Sequence, residues 1–379
     1  MCLAMVPRDG LFCKDGRGWN TSSAGRGHAL DWPWPSTVLG AVRTAWGQRL
    51  EAGTGHPLTS EAWRERTASV RLGRSLALRR SPDAPWSPVH RMWPVPQDAI
   101  LLEGRPDVLR LRPRPVQVRT LGSTDDPAVE HLWRPVVEDG AKELPRHGWW
   151  DEGQFTAWLA GQPLGVELGG LDIPRRVQVH VGIKAAESTA DEGVLFSHDV
   201  LETLDCGAQW AIGIEVEAPE VPTLSVAGLG SDRRLVHLES LDPKMFAAPA
   251  DLLDAFERGP GGLRLVSVTP SLFARGWLPD GLELAGETWR GRIGSLEDVV
   301  LRAALVSRPL DISGWDMVAR RPKPSDRMVR QGSVYFIERA DGRPFGRRDA
   351  EALWMVALGE RTGEGFGRFV PGIWNPMEG

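Results

Sequence analysis

The chain has 379 residues, which exceeds one typical domain and favours two domains or one large one. Hydrophobic residues make up 41% of the sequence, enough for a substantial core, so a largely disordered chain is excluded. The formal net charge of −5, from 45 basic and 50 acidic residues, excludes a uniformly basic coat protein for nucleic acid.

Two helices are predicted in the first half of the chain. The first begins at Pro35, where Ser36 or Thr37 can cap the free amides. The second begins at Asp151, which serves as its N-cap, and ends at Gly161. Apolar residues recur on one face of each, namely Val38, Val42, Ala45, Trp46 and Leu50 in the first helix and Phe155, Trp158 and Leu159 in the second.

Strands are predicted where apolar and polar residues alternate. In residues 177–184, three valines and an isoleucine alternate with Gln178, His180, Gly182 and Lys184, which predicts a half-buried strand with a polar outer face. Residues 212–217 repeat this pattern. Further strands are predicted at residues 235–239, 263–269, 299–306 and 333–338, and further helices at residues 243–257 and 348–358.

The order of these elements favours an α+β fold. Isolated helices between antiparallel strands are typical of split βαβ, ferredoxin-like units, here two in tandem. A polar stretch at residues 185–193 predicts the boundary, so the domains are predicted as residues 1–188 and 189–379. Segments rich in arginine and proline, within residues 60–120, are interpreted as an insertion into the first domain.

Charge is distributed unevenly along the chain. Residues 61–120 contain twelve arginines and six acidic residues, whereas residues 125–260 contain ten basic and twenty-five acidic residues. Within the basic section, residues 109–119 alternate basic and apolar side chains, as a strand with one cationic face would. The last third is again basic around Arg320, Arg321, Lys323, Arg327 and Arg330. This polarity favours an assembly that meets a polyanion on one side.

Signatures of common enzymes are missing from the sequence. There is no P-loop, no nucleophile elbow and no HExxH motif, and neither Cys2, Cys13 and Cys206 nor the eight histidines have the spacing of a metal site. No metal, cofactor or catalytic residue is therefore expected. No apolar run approaches the roughly 18–20 residues of a membrane span, and the N-terminal apolar stretch is too short for a signal peptide, so a cytoplasmic protein is predicted.

His28 is the histidine whose position suggests catalysis. It lies in a glycine-rich stretch beside Arg26, where an imidazole can act as general base on a ribose 2′-OH in metal-free RNA cleavage. The sequence supplies neither a second histidine nor a nearby lysine to complete an acid–base pair. His180, on the polar face of its strand, is interpreted as a surface or interface residue.

Two glycine-rich segments carry the strongest signal for binding. One is the segment 362–368, with Gly363, Gly365, Gly367 and Arg368. The other is the segment 227–234, with Gly228, Gly230, Arg233 and Arg234. The segment 362–368 lacks the strand–loop–helix order of a dinucleotide-binding site. Closely spaced glycines let backbone amides approach another surface, and neighbouring arginines add charge. Together the segments are interpreted as loops that hold an RNA backbone, and the alternative for each is a tight turn.

Seven segments together resemble a known family. They are PRDGLFCKDGRGW, ALDWPWPSTVLGAVRTA, HVGIKAAESTADEGVLFS, GLGSDRRLVHLE, VTPSLFARGWLP, RMVRQGSVYFIE and GEGFGRFVPG. In this order they resemble the third subunit of the type III-B (Cmr) CRISPR effector complex, a member of the RAMP superfamily. The resemblance runs from Pro7 to Gly372, nearly the whole chain.

The resemblance implies tandem ferredoxin-like (RRM-like) RAMP domains without nuclease activity. Members of this family cap the 5′ end of the complex by gripping the repeat-derived handle of the CRISPR RNA (crRNA). They also dock the large polymerase-like subunit and abut the adjacent backbone RAMP subunit. The crRNA handle and these two subunits are therefore the expected partners.

The resemblance also implies an RNA grip made from separate parts of the chain. Its candidate residues are Arg8, Lys14, Arg17, Arg26, His28, Ser36, Thr37, Arg43, Gly228, Gly230, Arg233, Arg234, Gly363, Gly365, Gly367 and Arg368. Arginines would clamp phosphates, loop amides would bind phosphate and 2′-OH oxygens, and the first helix would add the positive end of its dipole. Residues 105–119, on the basis of their charge and alternation alone, would form a hairpin that separates the handle from the guide. Trp32, Trp34 and Trp46 are either stacking platforms or core residues, with core favoured for Trp46.

Two alternatives stay open. One is a metal-free RAMP endoribonuclease that matures CRISPR RNA with His28 as its base. The other is a protein–protein scaffold without RNA contacts. Because its net charge is −5, the free subunit is expected to bind RNA poorly and to share its site with neighbouring subunits.

Overall fold

The computed structural model describes the chain in ranges separated by gaps. These are residues 1–14, 26–115, 129, 131–137, 140–168, 170–205, 207–218, 224–232, 234–316, 319 and 321–376. For residues 26, 168 and 191–194 the description covers the backbone alone. Predictions that concern Arg17, Arg233, Cys206, Arg320 and residues 116–119 lie outside the described residues.

The described residues form helices and many short strands. The α-helices are α1 (Pro35–Thr54), α2 (Ser60–Ala68), α3 (Glu152–Leu159), α4 (Ala250–Phe256) and α5 (Arg347–Leu353). The strands are β1 (Cys2–Pro7), β2 (Arg26–Gly27), β3 (Arg71–Arg80), β4 (Arg91–Pro94), β5 (Ala99–Leu102), β6 (Leu109–Arg110), β7 (Pro113–Arg114), β8 (Arg134–Pro135), β9 (Glu143–Leu144), β10 (Trp149–Asp151), β11 (Arg175–Lys184), β12 (Thr189–Leu201), β13 (Leu204–Asp205), β14 (Ala208–Glu217), β15 (Val226–Gly228), β16 (Leu235–Ser240), β17 (Gly262–Ser267), β18 (Leu282–Ala285), β19 (Thr288–Ile293), β20 (Leu296–Leu305), β21 (Leu310–Ile312), β22 (Trp315–Asp316), β23 (Arg321–Pro322), β24 (Asp326–Met328), β25 (Val334–Arg339), β26 (Val356–Ala357) and β27 (Arg368–Trp374).

The first large sheet has the strand order β10-β4-β3-β14-β1-β16-β15, and β13 pairs with β14. All of its described pairings are antiparallel. The interior strand β1 pairs with two strands that follow about 200 residues later, so that Met5 lies between Ile212 and Leu238. Four of these strands lie side by side in the order β3, β14, β1, β16. Counted along the chain, they are the second, third, first and fourth of the set, and α1 connects β1 to β3.

The second large sheet repeats this order further along the chain. Its strands are arranged β18-β19-β20-β25-β17-β27-β26. Four of them lie side by side in the order β20, β25, β17, β27, with antiparallel pairing throughout. Counted along the chain, these are again the second, third, first and fourth of the set. Here the helix α5 connects the third strand to the fourth. The fold is therefore mixed α and β, with mainly antiparallel sheets and few helices, as the α+β prediction requires.

Alternate residues of the first sheet enter two different cores. Leu3 and Met5 of β1 pack with α1 residues such as Val38 and Val42 on one face. Residues Ala4 and Val6, on the opposite face, belong to a larger core that includes the strands of the second sheet. Burial of each large apolar side chain contributes about 1.5–3 kcal/mol. The two sheets therefore share a core.

The two helices predicted in the first half of the chain are confirmed. Helix α1 starts at Pro35, but its N-cap is Trp34, without a side-chain cap, and Ser36 and Thr37 lie inside the first turn. Capping by Ser36 or Thr37 was therefore a wrong prediction, because proline at the first helical position already lacks the N–H that needs a partner. In α3, Asp151 accepts a hydrogen bond from the Gln154 amide at 2.8 Å, as predicted.

The later helices are shorter than predicted. Residues 243–257 form a 3-10 turn (Pro243–Phe246) and then α4, because Pro249, the N-cap of α4, interrupts the run. Helix α5 ends at Leu353, since Met355 has a positive φ of 53° and leads into β26. None of the helices in the described ranges is both long enough and apolar enough to span a membrane.

The strand predicted at residues 177–184 is confirmed as part of β11, but its predicted burial was wrong. Its apolar side chains are exposed, at 51% for Val177, 62% for Val179 and 60% for Ile183. The hairpin β11–β12 joins the short strand β2 in a separate three-stranded sheet, so no core sheet covers its apolar face. The polar face, with Gln178 and His180, is the more buried one. The domain boundary predicted between residues 188 and 189 falls at the turn of this hairpin. Strands of the first sheet come both before and after this boundary in the chain. The division into domains stays a prediction.

Candidate nucleic-acid interface

Described residues of the predicted RNA grip lie in two groups. The first joins the N-terminal loop, the hairpin β11–β12 and the loop that follows β15. Lys14 pairs through its backbone with Ala29, and the Ser231 amide donates to the Phe12 carbonyl at 2.7 Å. The members of this group are Arg8, Lys14, Arg26 (by its backbone), His28, Gly228, Gly230 and Arg234.

Arg234 links the parts of the first group to one another. Its side chain is only 8% exposed and donates to Asp9 Oδ2 at 2.6 Å and to Gln178 Oε1 at 2.7 Å. A third, longer bond runs to Asp232 Oδ2 at 3.3 Å. These bonds fix the loop after β15 against the N-terminal loop and the hairpin. The guanidinium therefore acts inside the protein, and its predicted role as a phosphate clamp has no support from this geometry.

Gly230 is required by packing within the first group. Its φ is +81°, and an added Cβ would lie 2.5 Å from the carbonyl oxygen of Phe12. Such a contact between a side chain and a backbone oxygen is impossible without a shift, so only glycine fits. The close approach that the sequence suggested is thus made to the chain itself.

The second group lies where the C-terminal glycine loop meets the start of α1. The Leu72 amide donates to the Gly363 carbonyl at 2.9 Å, and an added Cβ on Gly365 would lie 3.2 Å from Pro35. The members of this group are Ser36, Thr37, Arg43, Gly363, Gly365, Gly367 and Arg368. The loop therefore fastens the second sheet to the edge of the first.

The two arginines of the second group are partly buried and bonded to backbone carbonyls. Arg43 donates to the Val70 carbonyl through Nη2 at 2.8 Å and through Nε at 3.1 Å. Arg368 donates through its side chain to the carbonyl of Thr362 at 3.3 Å. Burial lowers the pKa of both guanidinium groups. Arg43 thus holds the chain just before β3, and Arg368 holds the start of the C-terminal glycine loop.

Arg8 is the predicted cation that the structure leaves at the surface. It is exposed beside a cavity of about 530 Å³ that Asp9, Arg80 and His237 also line. Its guanidinium forms no hydrogen bond or ion pair with any residue in the described ranges. Its charge is therefore available to a partner.

His28 lies beside a carboxylate. Its Nδ1 is 3.2 Å from Asp199 Oδ2, while 56% of the His28 side chain is exposed and only 8% of Asp199. A buried carboxylate that accepts from Nδ1 fixes the imidazole tautomer and leaves the Nε2 lone pair directed outward. The sequence did not suggest this pairing, because 171 residues separate the two partners.

A stack of aromatic rings fills the space under the hairpin. Phe196, His180, His198 and Phe12 follow one another with centroid separations of 5.1, 4.8 and 4.0 Å. His180, His198 and Asp232 bring ligand atoms within 4.8 Å of one another. The two imidazoles are nearly parallel, at 13°, so their in-plane lone pairs do not converge on one point. The geometry favours ring packing over metal chelation, and burial lowers the pKa of His198.

The basic segment at residues 105–119 is anchored at its described end. Strand β6 pairs with β5 and β7 with β8, so the segment does not form one long strand. Arg110 lies 4.0 Å above the Trp158 ring and donates to the carbonyls of Trp158 and Gln162. Burial, together with the charge of Arg264, lowers the pKa of Arg110 to about 9. The predicted separation of handle and guide by this segment stays a prediction.

A cleft that the sequence did not predict lies between the first sheet and the turn before β25. Its volume is about 410 Å³, and its lining includes Trp32, Arg146, Trp149, Arg175, Arg330 and Gln331. The sequence does indicate two of these residues separately, Trp32 as a candidate stacking residue and Arg330 as part of a basic stretch. Their meeting in one cleft could not be predicted from sequence spacing, because these lining residues lie up to 299 positions apart.

Most charges in this cleft are already paired. Arg175 donates to the Asp31 carboxylate, and Arg146 donates to Gln97 Oε1 at 2.8 Å. His147 Nδ1 lies 2.9 Å from Asp172 Oδ2. By contrast, the Arg330 guanidinium has no bond to any residue that the structure describes. Trp46, in comparison, is buried in the core as predicted.

Comparison with known proteins gives a match to one family. A family model described as a CRISPR-associated protein (Cas_Cmr3) matches residues 3–374, which confirms the resemblance seen in the sequence. Two solved structures are similar at 12% sequence identity, each with 89% of this chain and 86% of the other covered. They are cryo-EM structures of the type III-B Cmr-beta, one bound to cognate target RNA and AMPPnP in state 1 (TM-score 0.48) and one bound to cognate target RNA (TM-score 0.46). A search of curated proteins finds no significant match.

Proposed function

Because the chain belongs to the Cas_Cmr3 family of CRISPR-associated proteins, we propose that it is a non-catalytic, RNA-binding subunit of a type III-B (Cmr) effector complex. In this role it caps the 5′ repeat-derived handle of the crRNA. It also docks the large polymerase-like subunit and abuts the adjacent backbone RAMP subunit. The family match over residues 3–374 carries the proposal.

The strand order of the two sheets supports tandem ferredoxin-like domains. In a ferredoxin-like unit four antiparallel strands lie in the order 4-1-3-2, with a helix after the first and after the third strand. Strands β16, β1, β14 and β3 have this order, and so do β27, β17, β25 and β20. Each sheet has one of the two helices, α1 in the first and α5 in the second. We assign both as RAMP domains with long connections.

The arrangement of charge supports a site that neighbouring subunits complete. Arg43, Arg234 and Arg368 bond to the protein itself, whereas Arg8 and Arg330 keep their guanidinium groups available. These two cations neutralise few phosphates, and the chain as a whole carries a net charge of −5. The handle is therefore held jointly by this chain and its neighbours.

Charge reversal at Arg8 tests the proposal in the assembled complex. With sister subunits and crRNA present, Arg8→Glu is expected to lower handle crosslinking on UV irradiation. If one phosphate contact is lost, the slope of log affinity against log salt falls by about 0.7. Arg49→Glu, on the exposed side of α1, is the matched control and is expected to change neither quantity. Crosslinks confined to the guide, or none in an intact complex, would contradict the proposed role.

The alternative, a metal-free endoribonuclease, gains one observation. Asp199 holds His28 as a general base requires. We expect purified protein to leave a repeat-containing RNA uncut in EDTA, with His28→Ala indistinguishable from the unchanged chain. Cleavage in EDTA that disappears in His28→Ala would establish the nuclease instead.

A further inference from the structure

The cleft between the first sheet and the turn before β25 has features of a nucleotide site. We propose that it takes one unstacked adenine nucleotide of the bound RNA, with the base against the tryptophans and Gln331, and the phosphate at Arg330. This inference rests on the proposed function, because it assumes that the chain meets RNA. It adds to that function a base-specific contact at a named pocket.

The tryptophans provide a fixed aromatic wall. Trp32 and Trp149 are partly exposed in the cleft, with ring centroids 5.2 Å apart at an angle of 66°. Behind both lies Trp210, which is 2% exposed and 6.0 and 5.8 Å from their centroids. Rings held this way lose little freedom when a base stacks on them. A purine, with the larger π surface, gains most from such a wall.

Gln331 provides an unsatisfied hydrogen-bond group at the cleft. Its Oε1 is buried, and it has no hydrogen-bond partner among the described residues. A buried acceptor of this kind is costly unless a ligand donates to it. A glutamine amide offers one acceptor and two donors, which match the exocyclic amine and the adjacent ring nitrogen of adenine.

A second unsatisfied group belongs to a recess that adjoins the cleft. A recess of about 40 Å³ shares Trp32, Trp149 and Gln331 with the cleft as lining residues. The Nε1–H of Trp34, which also lines this recess, is buried without a described partner. The recess is too small for a ring. A recess whose lining includes an unsatisfied acceptor and an unsatisfied donor suits the edge of a base better than an apolar group.

The turn that carries Gln331 is held firmly. The Gly332 amide donates to the Ser267 carbonyl at 2.6 Å, and the Gln97 amide donates to the Gly332 carbonyl at 2.8 Å. Gly332 has a φ of +85°, and an added Cβ would lie 2.6 Å from the Val95 carbonyl oxygen. This anchoring fixes the backbone on the C-terminal side of Gln331, which limits how far the residue can shift when a ligand arrives.

Charge at the cleft fits one phosphate. Arg330 precedes Gln331 in the chain and lines the same cleft, and its guanidinium has no bond to a described residue. Arg146 and Arg175 are bonded to Gln97 and Asp31. A single free guanidinium beside an amide and an aromatic wall matches one nucleotide rather than a run of backbone.

Binding of short RNAs to the full-length chain tests the inference, and low salt makes the weak binding expected of the free subunit measurable. Fluorescence anisotropy at low salt is expected to show labelled rA8 binding about tenfold tighter than rU8, the discrimination of one good amide–base pair. Gln331→Met should remove this preference and leave rU8 binding within about twofold. Arg330→Glu should weaken both RNAs. Gln48→Met, exposed on α1, is the matched control and should change neither.

The outcomes separate the inference from the proposed function. Equal affinity for rA8 and rU8, no binding of either, or an unchanged preference in Gln331→Met overturns the adenine site. AMP that competes as well as rA8 also overturns it, because the pocket would then take a free nucleotide. None of these results touches the handle crosslinks in the assembled complex, which decide the proposed function.

Discussion

Asp98→Asn is expected to lower the free energy of unfolding by about 3–5 kcal/mol, because it leaves a buried arginine without its counter-charge. Asp98 is completely buried, and Arg264 is 1% exposed. The Asp98 carboxylate accepts from Arg264 and, at 2.9 Å, from the indole Nε1 of Trp158. Arg264 also donates to the carbonyls of Ile373 and Trp158. The pair thus joins α3, β17 and β27 through one network.

Urea unfolding of the variant measures this loss. The matched control is Asp311→Asn, which removes an acid that lies 3.7 Å from Arg327 with both side chains more than 70% exposed. Exposed pairs contribute about 0–1 kcal/mol, so this control should shift stability by less than 1 kcal/mol. Replacing both buried partners, as Asp98→Leu with Arg264→Met, should cost less than Asp98→Asn alone. Equal losses for Asp98→Asn and Asp311→Asn would show that the buried pair does not stabilise the core.

Gly367→Ala is expected to cost about 3 kcal/mol of stability, because its backbone has a positive φ and no room for a side chain. The φ is +71°, and an added Cβ would lie 2.1 Å from the Leu358 carbonyl oxygen. That oxygen cannot easily move away, since the Leu358 amide donates to the Gly367 carbonyl at 2.8 Å. Thermal or urea unfolding measures the effect.

Gly363→Ala, in the same loop, is the matched control for Gly367→Ala. Its added Cβ would meet the end of the flexible Arg71 side chain at 3.3 Å, and stability should change by less than about 0.5 kcal/mol. If the loop holds RNA through Gly363, this variant lowers handle crosslinking while the fold is kept. A stable Gly367→Ala protein would refute the packing explanation of the glycine.

Local patterns in the sequence predicted local structure well. The apolar period of α1 and the N-cap of α3 depend on contacts a few residues away, and both are present. The family assignment likewise followed from the order of short segments, and the match over residues 3–374 confirms it. The exceptions among the helices are the run at residues 243–257, where Pro249 breaks the expected continuity, and the run at residues 348–358, which ends at Leu353.

Features that depend on distant contacts were not predictable in this way. Alternation in β11 indicates a strand but not which face is covered, and here the hairpin leaves the core sheet. The arginine beside a glycine loop, Arg234, looked like a phosphate ligand until Asp9, 225 residues earlier, proved to be its partner. A charge reversal at Arg234 would therefore test the fold rather than RNA contact.

The position of β1 in the interior of the first sheet has a consequence for protein synthesis. Its two neighbours, β14 and β16, follow it by about 200 residues, so they leave the ribosome on the order of 10–40 s later at 5–20 residues per second. During that interval the apolar segment Leu3–Val6 has no sheet to join. Folding of the first sheet must then wait for residue 240, so the segment stays available for other contacts until most of the chain has been made.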